Sequence, residues 1–385
     1  NGGLRLRLSS DGNRVVNNKL TLSGGAGIAV DTFTREGGPA VENLNNTLVG
    51  NSISKTGSDA VGTDGTGILL GGVINNTIKN NTVTDAEQTG ILFFDSSSDS
   101  TIRNNTVEST SLLSGIGIID SYNNTVQNNT AVSNEGAGIF LRNSSNNTVE
   151  ENIANSNNAT GIGLNSSENN TVRNNTAKSN GISGIGLASS SSENTIRGNI
   201  AKFNDLAGIG AGDQPFTRHN RNVIENNTAN SNDWIGIGWV GSNNTIENNT
   251  AYKNTVYGIG IGALPSRNNE LISNDIQRND VGLLLNASSE DNVGFNNIIE
   301  NSIKHSNANL IKVNYTENKE FCKISIKDNG KGIPEEKKDK IFQKGFKHGE
   351  TGETGLGLYL VKRIAKTYEG RVELAQSKNG GTKFN

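Results

Sequence analysis

The stretch "NNTVRNNTAKSNGISGIGLASSSSE", Asn169–Glu193, carries its apolar residues in three short pieces: Thr171-Val172, Thr176-Ala177 and Gly184-Ile185-Gly186-Leu187. Each piece is bounded by Asn, Ser or Gly, so the chain turns at every break. Such pieces are too short for ordinary helices, and the alternation in "GIGL" sets Ile185 and Leu187 on one face. The stretch predicts three strands joined by three turns.

Its pattern recurs. "GI" returns at Gly67, Gly90, Gly115, Gly138, Gly161, Gly184, Gly208, Gly236 and Gly258, with a degenerate "VGL" at Gly282, in steps of 22 to 28 residues. A fixed period of this length is one supersecondary unit, and stacked units bury a core that none could bury alone. Asparagines fall in columns under the stacking. One runs from Asn76 through Asn124, Asn147 and Asn170 to Asn269; a second, five residues later, runs from Asn81 through Asn129, Asn152 and Asn175 to Asn274. Asn tolerates left-handed turns, and stacked carboxamides hydrogen-bond up a ladder. The expected fold class is mostly β: a parallel β-helix of about ten to twelve coils over residues 1–290. Around Gly27 and Asn45 it includes an irregular coil with an insertion between "DTFT" and "ENL".

The repeat "NNTVxNNTAxxN…GIGL" resembles the right-handed β-helix repeats of archaeal and bacterial surface proteins. It also resembles the related carbohydrate-binding and sugar-hydrolase class that includes the nitrous-oxide-reductase accessory protein. The resemblance implies a polysaccharide as a partner of the solenoid. Five residues past three "GI" glycines stand Asp95, Asp120 and Asn143, with Asp213 at the same offset farther along. Two carboxylates one strand spacing apart suit an acid and base on a polysaccharide, and equally suit turn capping. The "GIG" strings recur once per coil and are architecture, not dinucleotide loops. The many Asn-X-Ser/Thr triplets, such as those at Asn123 and Asn165, are N-glycan acceptor patterns in an exported protein and also follow directly from an Asn-Thr repeat.

Composition narrows the classes. Mean hydropathy is −0.51 and 32% of residues are hydrophobic, low for a conventional globular core. A net charge of −3 offers no basic field for nucleic acid. No run of eighteen apolar residues spans a membrane. Cys322 is the single cysteine, and His219, His305 and His348 are too scattered for a metal site. With no methionine and no signal-like hydrophobic stretch at "NGGLRLRL", the sequence reads as a processed chain or a fragment.

After about Ser306 lysine and glutamate rise and the "GI" beat stops. "FCKISIK" alternates as a strand, "DNGKGIP" is a glycine turn closed by Pro334, and "GLGLYLVKRIAKTY" shows a helical face. "RVELAQS" and "NGGTKF" follow as a strand and a turn into another. Residues 291–385 therefore predict an α/β layer.

These residues resemble the catalytic and ATP-binding domain of sensor histidine kinases, of the Bergerat fold, here partial because the family's strands before and after this stretch are missing. "DNGKGIP" is similar to its first glycine box, "IFQKGF" to its phenylalanine box and "GETGLGL" to its second glycine box. The resemblance implies that Asp328 accepts a hydrogen bond from the adenine amino group while Gly330 and Gly332 admit the base. It implies that Phe342 and Phe346 anchor a lid, and that Gly352, Gly355 and Gly357 cradle phosphates at a helix start. ATP and Mg²⁺ are the implied ligands.

"NNIIENSIKHSNANLIKV", Asn296–Val313, fits two structures. Asn297 and Asn301 are four apart and share a helix face, and "FNNIIENSIKHSN" resembles the family's N box, in which Asn301 would hold Mg²⁺ with Lys304 and His305 near the phosphates. Alternatively Asn296 and Asn301, five apart, continue the ladders. The missing "GI" after "SNANLIKV" favours the helix. Neither His219 nor His348 has the context of a phosphoacceptor, so the resemblance implies a histidine domain supplied in trans and a response regulator. The expected function is phosphoryl transfer from Mg-ATP, the alternative a non-enzymatic surface solenoid with an inactive tail. ATP chemistry points to the cytoplasm and the solenoid to the outside.

Overall fold

A computed structural model of the chain describes residues 3–7, 10–21, 24–31, 43–57, 65–212, 219–262, 266–285, 293–295, 298–299, 311–317, 322–328, 332–346, 357–367, 370–376 and 381–384. Each repeat makes three strands, as in Ile162–Asn165, Thr171–Arg173 and Thr176–Lys178. Like strands pair in parallel with the next coil, Ile162 with Ile185, Thr171 with Thr195 and Thr176 with Ile200. Sheets A and B, containing Ile162–Asn165 and Thr171–Arg173, each have twelve strands; sheet C, containing Thr176–Lys178, has sixteen. The result is a parallel β-solenoid of the expected size. The insertion expected after "DTFT" falls outside the described residues.

Alternation explains the core. Ile162, Ile185 and Ile209 of sheet A, Val172, Ile196 and Ile224 of sheet B, and Ala177, Ala201 and Ala229 of sheet C are all fully buried. Sheet A supplies bulky side chains and sheet C methyl groups, so the interior stays thin and the apolar fraction low.

The asparagine columns are buried at the corners. Asn175 donates its backbone N–H and its Nδ2 to Asn199 Oδ1 at 2.9 and 3.0 Å, and its Nδ2 also to the Val149 carbonyl at 2.9 Å. Asn152 makes the same bonds to Asn175. The residue before each ladder asparagine takes the left-handed backbone, Asn174 at φ 56° and Asn169 at φ 54°. In "NN" the two roles expected of one asparagine are thus divided. A third buried ladder, from Asn134 through Asn157, Asn180 and Asn204 to Asn279, stands five residues after the second. It is the last asparagine of the pattern "NNTVxNNTAxxN".

The two glycines of "GIG" do different work. A Cβ on Gly184 would stand 2.7 Å from the Gly208 carbonyl oxygen and 2.8 Å from Ala201 Cβ, whereas one on Gly186 would meet Thr160 Cγ2 at 3.2 Å. Gly184→Ala is expected to cost about 1–3 kcal/mol through overpacking against backbone that cannot yield. Gly186→Ala is expected to stay within about 0.5 kcal/mol, because the outward methyl displaces only a side-chain tip and reduces unfolded-state entropy. Urea unfolding of the two variants compares them; equal midpoints would contradict the packing argument.

The helix expected from Asn296 onward is corrected at Ile298 and Ile299. They form a strand that pairs in parallel with Asp275–Ile276 and antiparallel with Lys312. Val293–Phe295 likewise continues sheet B beside Glu270–Ile272. Two adjacent β-branched residues complete an otherwise open sheet edge, and this outweighs the local helical spacing. Solenoid pairing therefore reaches Ile299. Beyond it sheet C turns antiparallel, with Ile311–Glu317 against Cys322–Asp328, then Thr382–Phe384 and Leu374–Gln376. Among the described residues one α-helix, α1 (Gly357–Thr367), accompanies these strands.

Candidate nucleotide site and solenoid surface

The strand Cys322–Asp328 ends at the residue expected to meet adenine, with Asp328 paired to Ile311. After it, Gly332 adopts φ 73°, and a Cβ there would lie 3.2 Å from the Gly381 carbonyl oxygen. The first glycine box thus closes on the turn that enters the last strand, where a side chain would be strained. Phe342 packs edge-to-face on Phe384 of that strand, centroids 6.1 Å apart, while Lys362 Nζ of α1 lies 5.4 Å from the Phe342 ring centroid. One aromatic therefore ties the phenylalanine box to the sheet and to the helix. Sequence reasoning missed Phe384 and Lys362, since neither belongs to a box. Phe346 closes the segment with its N–H on the Gln343 carbonyl at 3.2 Å.

Helix α1 opens at Gly357, the last glycine of the second box, with no acidic residue in its first turn. First-turn amides have no partner within a helix, and the positive end of the helix dipole suits an anion. At the other end Gly370 N–H caps the Ala365 carbonyl at 2.8 Å. Asn301, Lys304, His305, Gly330, Gly352 and Gly355 lie outside the described residues, and of Asp328 and Gly357 only the backbone placement is described.

On the solenoid, Asp95 and Asp120 occupy equivalent exposed corners of consecutive coils at φ 55° and 48°, and Asp120 Oδ1 accepts a hydrogen bond from Asn143 Nδ2 at 3.1 Å. Left-handed backbone and this bond suit the turn-capping role. Asp213 lies outside the described residues. Another corner carries an open groove of about 580 Å³ lined by Ser109, Ser133, Ser156 and Ser179 and by Glu135, Asn158 and Asp205. Among the described residues no group of three or more His, Cys, Asp or Glu side chains is placed to hold a metal ion, and no helix is long and apolar enough to cross a membrane.

A family model described as right handed beta helix region matches residues 1–107 and again 63–201, together 201 of the 385 residues. The chain belongs to the right-handed β-helix family. In this β-helix protein the model for the periplasmic copper-binding protein NosD continues over residues 202–329, and that for histidine kinase-, DNA gyrase B- and HSP90-like ATPases covers 294–385. The two overlap at 294–329, which contains Asn296–Val313, the stretch that the sequence reads two ways. A probable C4-dicarboxylate sensor kinase of Halalkalibacterium halodurans is 36% identical over 93 residues, 23% of this chain and 18% of the relative. The sensor-type histidine kinase PrrB of Mycobacterium bovis is 34% identical over 91 residues, 23% and 20% of the two chains. The chain thus spans about a fifth of these curated relatives. Among solved structures, the periplasmic alginate epimerase AlgG superposes with a TM-score of 0.55 at 14% identity, covering 71% of this chain and 73% of that one. At that identity the likeness is one of fold.

Proposed function

We propose that residues 294–385 form a histidine-kinase-type ATPase carried on a β-helix module. It binds Mg-ATP and passes the γ-phosphoryl group to a histidine on a partner domain, which in turn serves a response regulator. The observation that carries this reading is the order of parts within the matched segment. A strand ends at Asp328, a left-handed Gly332 follows it, and Phe342 joins the last strand to α1, which opens at Gly357.

On this reading Asp328 accepts from the adenine amino group, and Gly330 and Gly332 let the backbone approach the base. Phe342 and Phe346 hold the lid segment against Phe384. Gly352, Gly355 and Gly357 aim amides at the phosphates, and Lys304 and His305 add positive charge. Asn301 would hold Mg²⁺, which would supply neutralisation of charge on the transferred phosphoryl group. The protein's own contribution is positioning and fixed dipoles.

The serine-lined groove and the fold likeness support a second reading, a polysaccharide partner for the solenoid, which is compatible with the first. Titration of the full chain with a fluorescent ATP analogue, with and without Mg²⁺, tests the primary reading. Saturable, Mg²⁺-strengthened binding is expected, with the Mg²⁺ dependence lost in Asn301→Ala, which removes the ligand oxygen. No binding at millimolar nucleotide would sink it and leave the polysaccharide reading.

A further inference from the structure

At one corner of the solenoid the residue that precedes sheet A changes character along the stack. Two successive coils place Gly136 and Ala159 there; the next five place Ile182, Leu206, Trp234, Val256 and Val281. Each is tied to the one before by its backbone N–H, as in Leu206 N–H to the Ile182 carbonyl at 2.8 Å and Val281 N–H to the Val256 carbonyl at 2.7 Å. These residues are not core: Ile182, Leu206, Trp234 and Val281 are 44%, 43%, 45% and 39% exposed. Tyr257 leans edge-on against Trp234, centroids 6.2 Å apart, and extends the apolar surface sideways. In a chain whose other corners are mostly Asn and Ser, a contiguous apolar ridge over five coils marks an interaction surface.

Charge and spacing define the partner. Immediately before the ridge residues stand exposed Asp205, Asp233 and Asp280, an acidic row along one flank. Lys253 and Arg278, three residues before Val256 and Val281, are turned to the Tyr252 ring, at 5.3 and 5.6 Å from its centroid. The ridge repeats about every 4.8 Å, so its five members span about 19 Å. Apolar residues on a helix face recur every 3.5 to 3.6 residues, or about 5.3 Å, which drifts by only about 2 Å over four steps. Same-face residues of an extended strand recur every 6.6 Å or so and drift by about 7 Å over the same distance.

We infer that this ridge docks an amphipathic α-helix of about thirteen residues or more, with a basic flank, presented by another protein. The helix lies along the solenoid axis, its apolar face on Leu206 and Trp234 and its cations over the aspartates. This inference is independent of nucleotide binding.

The test uses the full chain and two fluorescein-labelled fourteen-residue helical peptides, both with leucine at heptad a and d positions. One carries lysine on the flank that would face the aspartates and the other carries glutamate; a scrambled lysine peptide is the control. Saturable anisotropy with the lysine peptide is expected, with a blue shift of Trp234 emission; Trp239, 1% exposed, should contribute little. Leu206→Glu, at a surface position, should weaken binding at least about tenfold. Asp205→Lys with Asp233→Lys should reverse the preference between the two flanks. Equal binding of the scrambled or glutamate peptide would overturn the inference. So would peptide-independent self-association that Leu206→Glu abolishes, since the ridge would then belong to a second copy of the chain.

Discussion

Asn175→Ala is expected to lower the unfolding free energy by about 3 kcal/mol; Asn175 is an interior rung of a ladder in which Asn152 and Asn199 make the same bonds. Its Oδ1 accepts two donors from the coil below, Asn152 N–H and Asn152 Nδ2, at 2.9 and 3.0 Å, and all these atoms are buried. Alanine strands the Asn152 backbone N–H and leaves Asn152 Nδ2 with only its bond to the Val126 carbonyl, and a buried unmet donor costs about 1–3 kcal/mol. The Val149 carbonyl loses a partner as well. The neighbouring Asn174→Ala loses only the residue type that tolerates φ 56° at an exposed corner, about 1 kcal/mol. Urea denaturation of both variants measures the difference. If the two lost equal stability, the ladder would be an ornament of the corner and not its hydrogen-bonding core.

That contrast also explains how far the sequence could be read. The "GI" period and the "TV" and "TA" pieces gave three strands per coil because the solenoid is a local code: each residue's neighbours in space are its equivalents one repeat away. Columns of asparagine were visible for the same reason. Periodicity also separates the members of "NN": the second position stays asparagine where the first becomes Glu151, Glu193, Gly198 or Arg221, and what it does not show is that the first takes the left-handed backbone.

The end of the repeat was harder. At Ile298 and Ile299 a helical spacing of asparagines competed with an open sheet edge two residue positions wide, and edge pairing with Asp275–Ile276 is a property of the preceding coil, not of the segment itself. In the ATPase segment the glycine and phenylalanine boxes were legible as motifs. The contact that gathers them was not: Phe342 meets Phe384 and Lys362 across long sequence separations that no spacing rule encodes. A corner ridge such as Ile182, Leu206 and Trp234 was legible only once the coils were in register. Within each repeat it is one apolar residue beside glycine, aspartate or threonine.

Asp328→Asn is expected to weaken binding of the ATP analogue by about 10- to 100-fold, because a hydrogen bond to a charged acceptor contributes about 1.5–3 kcal/mol. The substitution keeps the shape and leaves the backbone pairing of Asp328 with Ile311 in place, so circular dichroism should not change. Its chemistry can reverse. A carboxylate only accepts and matches the adenine amino group, whereas a carboxamide also donates and can address the carbonyl that guanine carries at the equivalent ring position. The variant should therefore lose more affinity for the ATP analogue than for the corresponding GTP analogue, narrowing or inverting their ratio. A general loosening of the sheet would lower both in proportion. An unchanged ratio with weaker binding would assign Asp328 to the fold of its strand end, and unchanged binding would remove it from the nucleotide site; a shifted ratio is the outcome that only direct contact with the base produces.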